Sequence, residues 1–178
     1  MRTRQVIFAA LFAALTAVSA FLRIPLGPVS VTPQFLLTVM AGVLLGAKWG
    51  AVSQLIYVVL GLLGLPLFTM GGGVGYILQP TFGFLLGLIA AAAIVGHLAA
   101  PFPTPRRIVL ASLAGLGALY AAGLPYMALI MNGYLHQSVP MGRILMLGCV
   151  MFLPFDAIKI ALAALLCPAL LRRLNQHQ

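Results

Sequence analysis

Between residues 5 and 171 the chain is a succession of apolar runs, separated by short stretches of Gly, Pro and basic residues. Such a chain has one solvent in which it can fold. Only 6% of the 178 residues are charged and 63% are hydrophobic, where a soluble domain carries roughly 25% charged residues. That much apolar surface must face lipid. The runs lie at about 5–22, 34–45, 51–63, 81–100, 108–131 and 144–171. The second and third are shorter than the roughly 20 residues of a perpendicular span, so they need little tilt or shielding by neighbours. The expectation is an all-α fold: a single transmembrane domain, a polytopic bundle of about six transmembrane helices. Pro125 falls inside the fifth run, and Pro154 and Pro168 inside the sixth.

The basic residues give an orientation. Six crossings put both ends on one side, together with Arg2, Arg4, Lys48, Arg106, Arg107, Arg172 and Arg173. Arg23 and Arg143 fall on the other side, and Lys159 falls within the last run. Seven against two is a positive-inside bias that places both termini in the cytoplasm, as expected for a multi-pass protein of a prokaryotic inner membrane. Val18-Ser19-Ala20 resembles a signal-peptidase site, but a retained first span is the expected outcome. A net charge of +9 raises the question of nucleic acid. The charges form no stripe and are too few to cover a phosphate backbone.

Asp156 carries the strongest chemical signal. It is the one acidic residue in the chain and lies within an apolar run. An ionised group at membrane depth costs about 2.5–3.5 kcal/mol on insertion scales. Lys159 follows three positions later, on the same helix face. The pair is either a ligand site facing the bundle interior or an ion pair that holds helices together. Three further places could touch a solute. Residues 64–76 are rich in glycine, with Gly72, Gly73 and Tyr76, yet are apolar and aromatic where a linker would be polar; they read as a lid. Residues 23–34 are stiffened by Pro25, Pro28 and Pro33 and present Thr32 and Gln34, which could bond a solute or cap a helix. Asn132 is open to the same two readings. Ala9, Ala13 and Ala17 recur every four residues in the first run, as do Ala10 and Ala14, a spacing that lets a second helix approach closely.

Absences narrow the class. No Gly-Lys-Ser/Thr phosphate loop follows the glycines, so ATP hydrolysis is not expected of this chain. One acid cannot form a carboxylate dyad, no Gly-x-Ser-x-Gly is present, and His97, His136 and His177 have no ligand spacing. Cys149 and Cys167 sit in apolar runs as packing residues. Neither catalysis nor a cofactor or metal is expected.

Four segments together resemble the BioY family, the biotin-binding S-components of energy-coupling-factor (ECF) transporters. They are residues 25–34; Ala41-Gly42-Val43-Leu44-Leu45-Gly46 with Gln54-Leu55-Ile56-Tyr57; Gly64-Leu65-Pro66-Leu67-Phe68 with the glycine cluster and Pro80-Thr81; and Leu153-Pro154-Phe155-Asp156-Ala157-Ile158-Lys159. Their order and spacing, over nearly the whole chain, carry the likeness. The resemblance implies a six-helix membrane protein that captures biotin near its outer face, with Asp156 and Lys159 on the ligand and Gln34, Thr32, Gly72, Gly73, Tyr76, Thr81 and Asn132 as further contacts. Tyr76 and Phe68 would supply apolar walls. The ligand carboxylate would fall to Lys159, Arg23 or amides of the glycine loop. It implies a coupling membrane subunit and two ATPase subunits as partners, docked on the Ala9, Ala13, Ala17 stripe, or a solitary form, possible as a homo-oligomer. The chain departs from the family pattern in two places. Gln79-Pro80-Thr81-Phe82-Gly83-Phe84 stands where the family has Gly-Pro-Thr-Gly-Gly-Tyr, and Phe155 stands where the family has Gly. Bulk there would reshape the pocket. An S-component for another small vitamin, or a membrane scaffold with no solute, are the competing readings.

Overall fold

A computed structural model describes residues 2–26 and 29–176. Gly27, Pro28 and His177 lie outside the described residues. Helix α1 spans Arg2–Phe21 and leads into a small antiparallel hairpin, β1 (Ile24–Leu26) and β2 (Val29–Val31). Ile24 pairs with Val31, Pro25 with Ser30 and Leu26 with Val29. Three-residue strands are too short to show alternation, so the hairpin was not legible beforehand.

Helix α2 spans Gln34–Leu62 but is not straight. Gly46 has φ 79° and ψ 173°, a conformation that only glycine adopts readily, and it breaks the helix in two. The halves 34–45 and 47–62 fold back on one another. Gln34 Nε2 donates to the Tyr57 hydroxyl at 2.7 Å, and the Thr38 hydroxyl lies 3.1 Å from Gln54 Oε1. In one straight helix, sixteen residues would separate those last two by roughly 24 Å. The second half starts at Ala47, earlier than the expected residue 51, because the chain resumes helical geometry directly after Gly46. A fully buried set of hydroxyls and amides knits this hairpin to α1. Gln54 Nε2 donates to Thr16 Oγ1 at 3.3 Å and to Ser53 Oγ at 3.2 Å.

A 3₁₀ turn at Val74–Leu78 precedes α3 (Phe82–Ala99), the most enclosed of the long helices, which packs between α2 and α4. Helix α4 (Pro105–Ala128) starts with a cap that its sequence announces: Thr104 accepts from the Arg107 amide at 3.4 Å, with Pro105 in the first turn. Pro125 does not end α4. The chain continues as a widened π turn, Leu129–Tyr134. Helix α5 (Met141–Leu145), a second π turn (Met146–Val150) and α6 (Leu153–Gln176) follow. The expected single helix over 144–171 is thus interrupted at Met151 and Phe152. Pro154 sits in the first turn of α6, where no amide hydrogen is needed; it is a start signal and not an internal kink. Among the described residues, five helical segments, Thr3–Phe21, Gln34–Leu62, Phe82–Ala99, Pro105–Tyr134 and Met141–Arg173, are long and apolar enough to cross a membrane.

Small residues set the closest contacts. A methyl on Gly42 would lie 2.7 Å from the Ala92 carbonyl of α3, and one on Gly50 would lie 2.9 Å from the Gly42 Cα. Many large apolar side chains, including Val6, Leu63, Leu113 and Leu165, point outward, as lipid requires. The alanine stripe does not. Ala9, Ala13 and Ala17 are 0%, 3% and 6% exposed and pack within the chain, so a docking role for them is corrected: no second subunit can reach them. The exposed small residues of α1 are Ala10 and Ala14.

Candidate functional site

Asp156 lies in the first turn of α6 and is 3% exposed. A carboxylate there interacts favourably with the helix N-terminus. Two side chains satisfy it. Lys159 Nζ lies 2.7 Å from Oδ1, and the Tyr120 hydroxyl, from α4, donates to Oδ2 at 2.5 Å. Each carboxylate oxygen keeps acceptor capacity for a further donor. Sequence reading missed Tyr120. It lies 36 residues from Asp156 and belongs to no local pattern.

This group lines a cavity of about 100 Å³ between the hairpin, the start of α2 and the loop after it, and helices α3, α4 and α6. Thr32 and Gln34 line the same cavity. The Thr32 hydroxyl donates to Gln34 Oε1 at 2.9 Å, and the bond from Gln34 to Tyr57 fixes which way the amide points. A third polar cluster closes the rim. Tyr76 Oη lies 3.0 Å from Thr69 Oγ1 and 3.5 Å from Thr81 Oγ1. Between these groups the surface is apolar, with Val29, Phe35, Phe84, Leu85, Leu88, Leu119 and Phe152. A few placed polar groups on apolar walls are what a small-molecule site looks like. A larger groove, about 220 Å³, lies between α1, the hairpin and α6, but apart from Thr32 and Lys159 its lining is apolar. Chemistry, not size, selects the first.

Of the residues singled out from the sequence, Asp156, Lys159, Gln34, Thr32, Tyr76 and Thr81 meet around this one cavity. Gly72, Gly73 and Asn132 are not among its lining residues. A side chain on Gly72 would collide with the Leu65 carbonyl, and the Gly73 amide donates to the Gly61 carbonyl at 2.7 Å. These glycines seat the loop on the end of α2. Asn132 grips backbone instead: Nδ2 donates to the Val139 carbonyl at 3.0 Å and Oδ1 accepts from the Val139 amide at 2.6 Å. Phe68 is buried between Tyr57 and Tyr76, at ring-centroid distances of 5.5 and 4.5 Å, and lies behind the wall. The expected reshaping of the pocket is also narrower than anticipated. Phe155 faces the outer groove and Phe82 stacks on Tyr126, so only Phe84 of the departing positions lines the cavity.

The model of the BioY family matches residues 1–176. The chain belongs to the BioY family. It is 39% identical over 170 residues to the probable biotin transporter BioY of Lysinibacillus sphaericus, covering 94% of this chain and 87% of that one. It is 37% identical over 164 residues to the biotin transporter BioY of Thermotoga maritima, covering 92% and 93%. Among solved structures it resembles a crystal structure of the S-component for biotin from an ECF-type ABC transporter. The TM-score is 0.83 at 25% identity, over 98% of this chain and 92% of the other. A BioY protein is a multi-pass membrane protein of transport, not of catalysis. That membership removes the scaffold reading.

Proposed function

We propose that this chain is the substrate-binding membrane subunit of a biotin uptake system, and that the cavity beside Asp156 is its biotin site. The observation that carries this reading is a buried carboxylate with a lysine and a phenol on it, facing an apolar cavity in a BioY chain. Biotin's ureido ring offers two N–H donors and one carbonyl acceptor. The free acceptor positions of Asp156 take the N–H pair, and Lys159 donates to the carbonyl. The thiophane ring and valeryl chain lie on Phe84, Leu85, Leu88 and Leu119. Biotin is cargo here; no cofactor is part of the reading.

In this reading the chain crosses six times, with the halves of α2 as two of the crossings and both ends cytoplasmic, and the cavity lies near the outer face. Capture from outside is then followed by delivery, and in this reading an ECF module of a coupling membrane subunit and two ATPases supplies the energy. The test is equilibrium binding of labelled biotin to the detergent-purified chain, followed by uptake in cells with and without such a module. Saturable binding that competes with unlabelled biotin is expected. A well-folded chain that ignores biotin but binds another vitamin would replace the assignment.

Tyr120 gives a graded check on the same site. Tyr120→Phe removes a hydrogen bond to a charged group, worth about 1.5–3 kcal/mol, that is already made without ligand. The variant should therefore lose thermal stability, read as a lower melting temperature, while biotin affinity changes by less than the full value of the bond. A melting temperature equal to that of wild type would mean that the Tyr120 hydroxyl does not hold Asp156.

A further inference from the structure

The biotin reading leaves one charge unanswered: the carboxylate at the end of the valeryl chain. Lys159 cannot serve it well, because its ammonium is already engaged by Asp156 at 2.7 Å and by the ureido carbonyl in that reading. A second cation, Arg23, does not itself line the cavity but neighbours residues that do. Arg23 directly precedes β1, and the pairing of Ile24 with Val31 sets it beside Thr32, a lining residue. Its side chain crosses to the loop after α2. Nη1 donates to the Thr69 carbonyl and lies 3.4 Å from Met70 Sδ. Thr69 lines the cavity too, and its hydroxyl touches that of Tyr76. Arg23 is therefore flanked by two lining residues of the cavity, Thr32 and Thr69, and is itself exposed.

Among the described residues only Nη1 of this guanidinium has a protein partner. The edge formed by Nε and Nη2 is the fork that matches a carboxylate with two parallel hydrogen bonds. No acid of the chain can fill it. Asp156 is the one acidic residue, and it is held by Lys159 and Tyr120. We propose that Arg23 binds the ligand's carboxylate through this free edge, while Nη1 keeps it fastened to Thr69. The inference rests on the biotin reading and adds to it a polarity: ureido ring inward at Asp156, acid outward at Arg23.

A purely mechanical role, clasping the hairpin to the loop, would leave the acid unrecognised, and the ligand itself separates the two. The affinities of the purified chain for biotin and for biotinamide, its uncharged carboxamide, are compared in wild type, Arg23→Gln and Arg23→Lys. Wild type should prefer the acid by about tenfold, as expected for one charge-assisted fork. Arg23→Gln should lose that preference by weakening the acid alone, and Arg23→Lys should keep part of it. Raising the salt concentration should narrow the wild-type preference, because Arg23 is exposed. Equal weakening of both ligands in Arg23→Gln would assign the clasp and overturn the carboxylate site, as would a wild type that does not distinguish acid from amide. A wild type that binds neither compound would remove the biotin reading itself, and the carboxylate site with it.

Discussion

Replacing Asp156 by Asn should abolish measurable biotin binding while leaving a folded, monodisperse protein in detergent. Asn keeps the shape and still accepts one bond from Tyr120, but it loses the charge and half of the acceptor capacity that the ureido N–H pair requires. Truncating one member of a buried, hydrogen-bonded charge pair costs about 2–5 kcal/mol or more in binding. On a scale of about 1.4 kcal/mol per factor of ten, that is roughly a thirtyfold or greater loss of affinity. The substitution also leaves the Lys159 ammonium without its partner, so some loss of thermal stability is expected. The exchanged pair, Asp156→Lys with Lys159→Asp, separates the two effects. It restores the ion pair but presents the wrong polarity to the ligand. If the exchanged protein regained both stability and biotin affinity, the pair would be structural, and the ligand site would have to lie elsewhere.

What the sequence made legible, and what it hid, follows from the range of the interactions. Asp156 and Lys159 are three residues apart, so their contact is written in helix periodicity, and the cost of a charge in lipid marked them as candidates. Thr32, Gln34, Tyr76 and Thr81 were legible through the punctuation around them. Tyr120 was not, because a tyrosine among apolar residues in a membrane helix gives no sign of what its hydroxyl meets on another helix. The failures share a different cause. Gly72, Gly73 and Asn132 are of types that suit ligand contact and backbone repair equally, and in this chain the backbone claims them. Gly73 donates to Gly61 and Asn132 bonds Val139 twice. The alanine period in α1 showed correctly that a helix packs closely there, but a period cannot say whose helix it is; here the face at Ala9, Ala13 and Ala17 is buried within the chain. The turn at Gly46 was visible as Gly-Ala-Lys-Trp-Gly, while the hydrogen bonds that close the α2 hairpin, Gln34 to Tyr57 and Thr38 to Gln54, were not.

The second large effect concerns that hairpin. Gly96 of α3 faces the turn of α2 so closely that a methyl placed on it would sit 2.6 Å from both the Ala47 Cα and the Gly46 carbonyl carbon. These are backbone atoms, so no rotamer change can relieve the clash. The reciprocal contact is as tight, since a methyl on Gly42 would meet the Ala92 carbonyl at 2.7 Å and the Gly96 amide at 3.0 Å. Overpacking a close-packed interior costs about 1–3 kcal/mol, and more where backbone must move; close helix approach through small residues is also what holds membrane helices together. Gly96→Leu should therefore destroy the folded bundle, seen as loss of the monodisperse peak in detergent, and Gly96→Ala should lower the melting temperature clearly. Gly117→Ala is the control, because a methyl at Gly117 meets nothing within 4 Å and alanine favours a helix by about 1 kcal/mol over glycine. Biotin binding should follow stability in the Gly96 variants, because the same hairpin carries Gln34 to the cavity that Asp156 also lines. A Gly96→Leu protein as stable as wild type would mean that the turn of α2 does not rest on α3, and the placement of Gln34 in the cavity wall would fall with it.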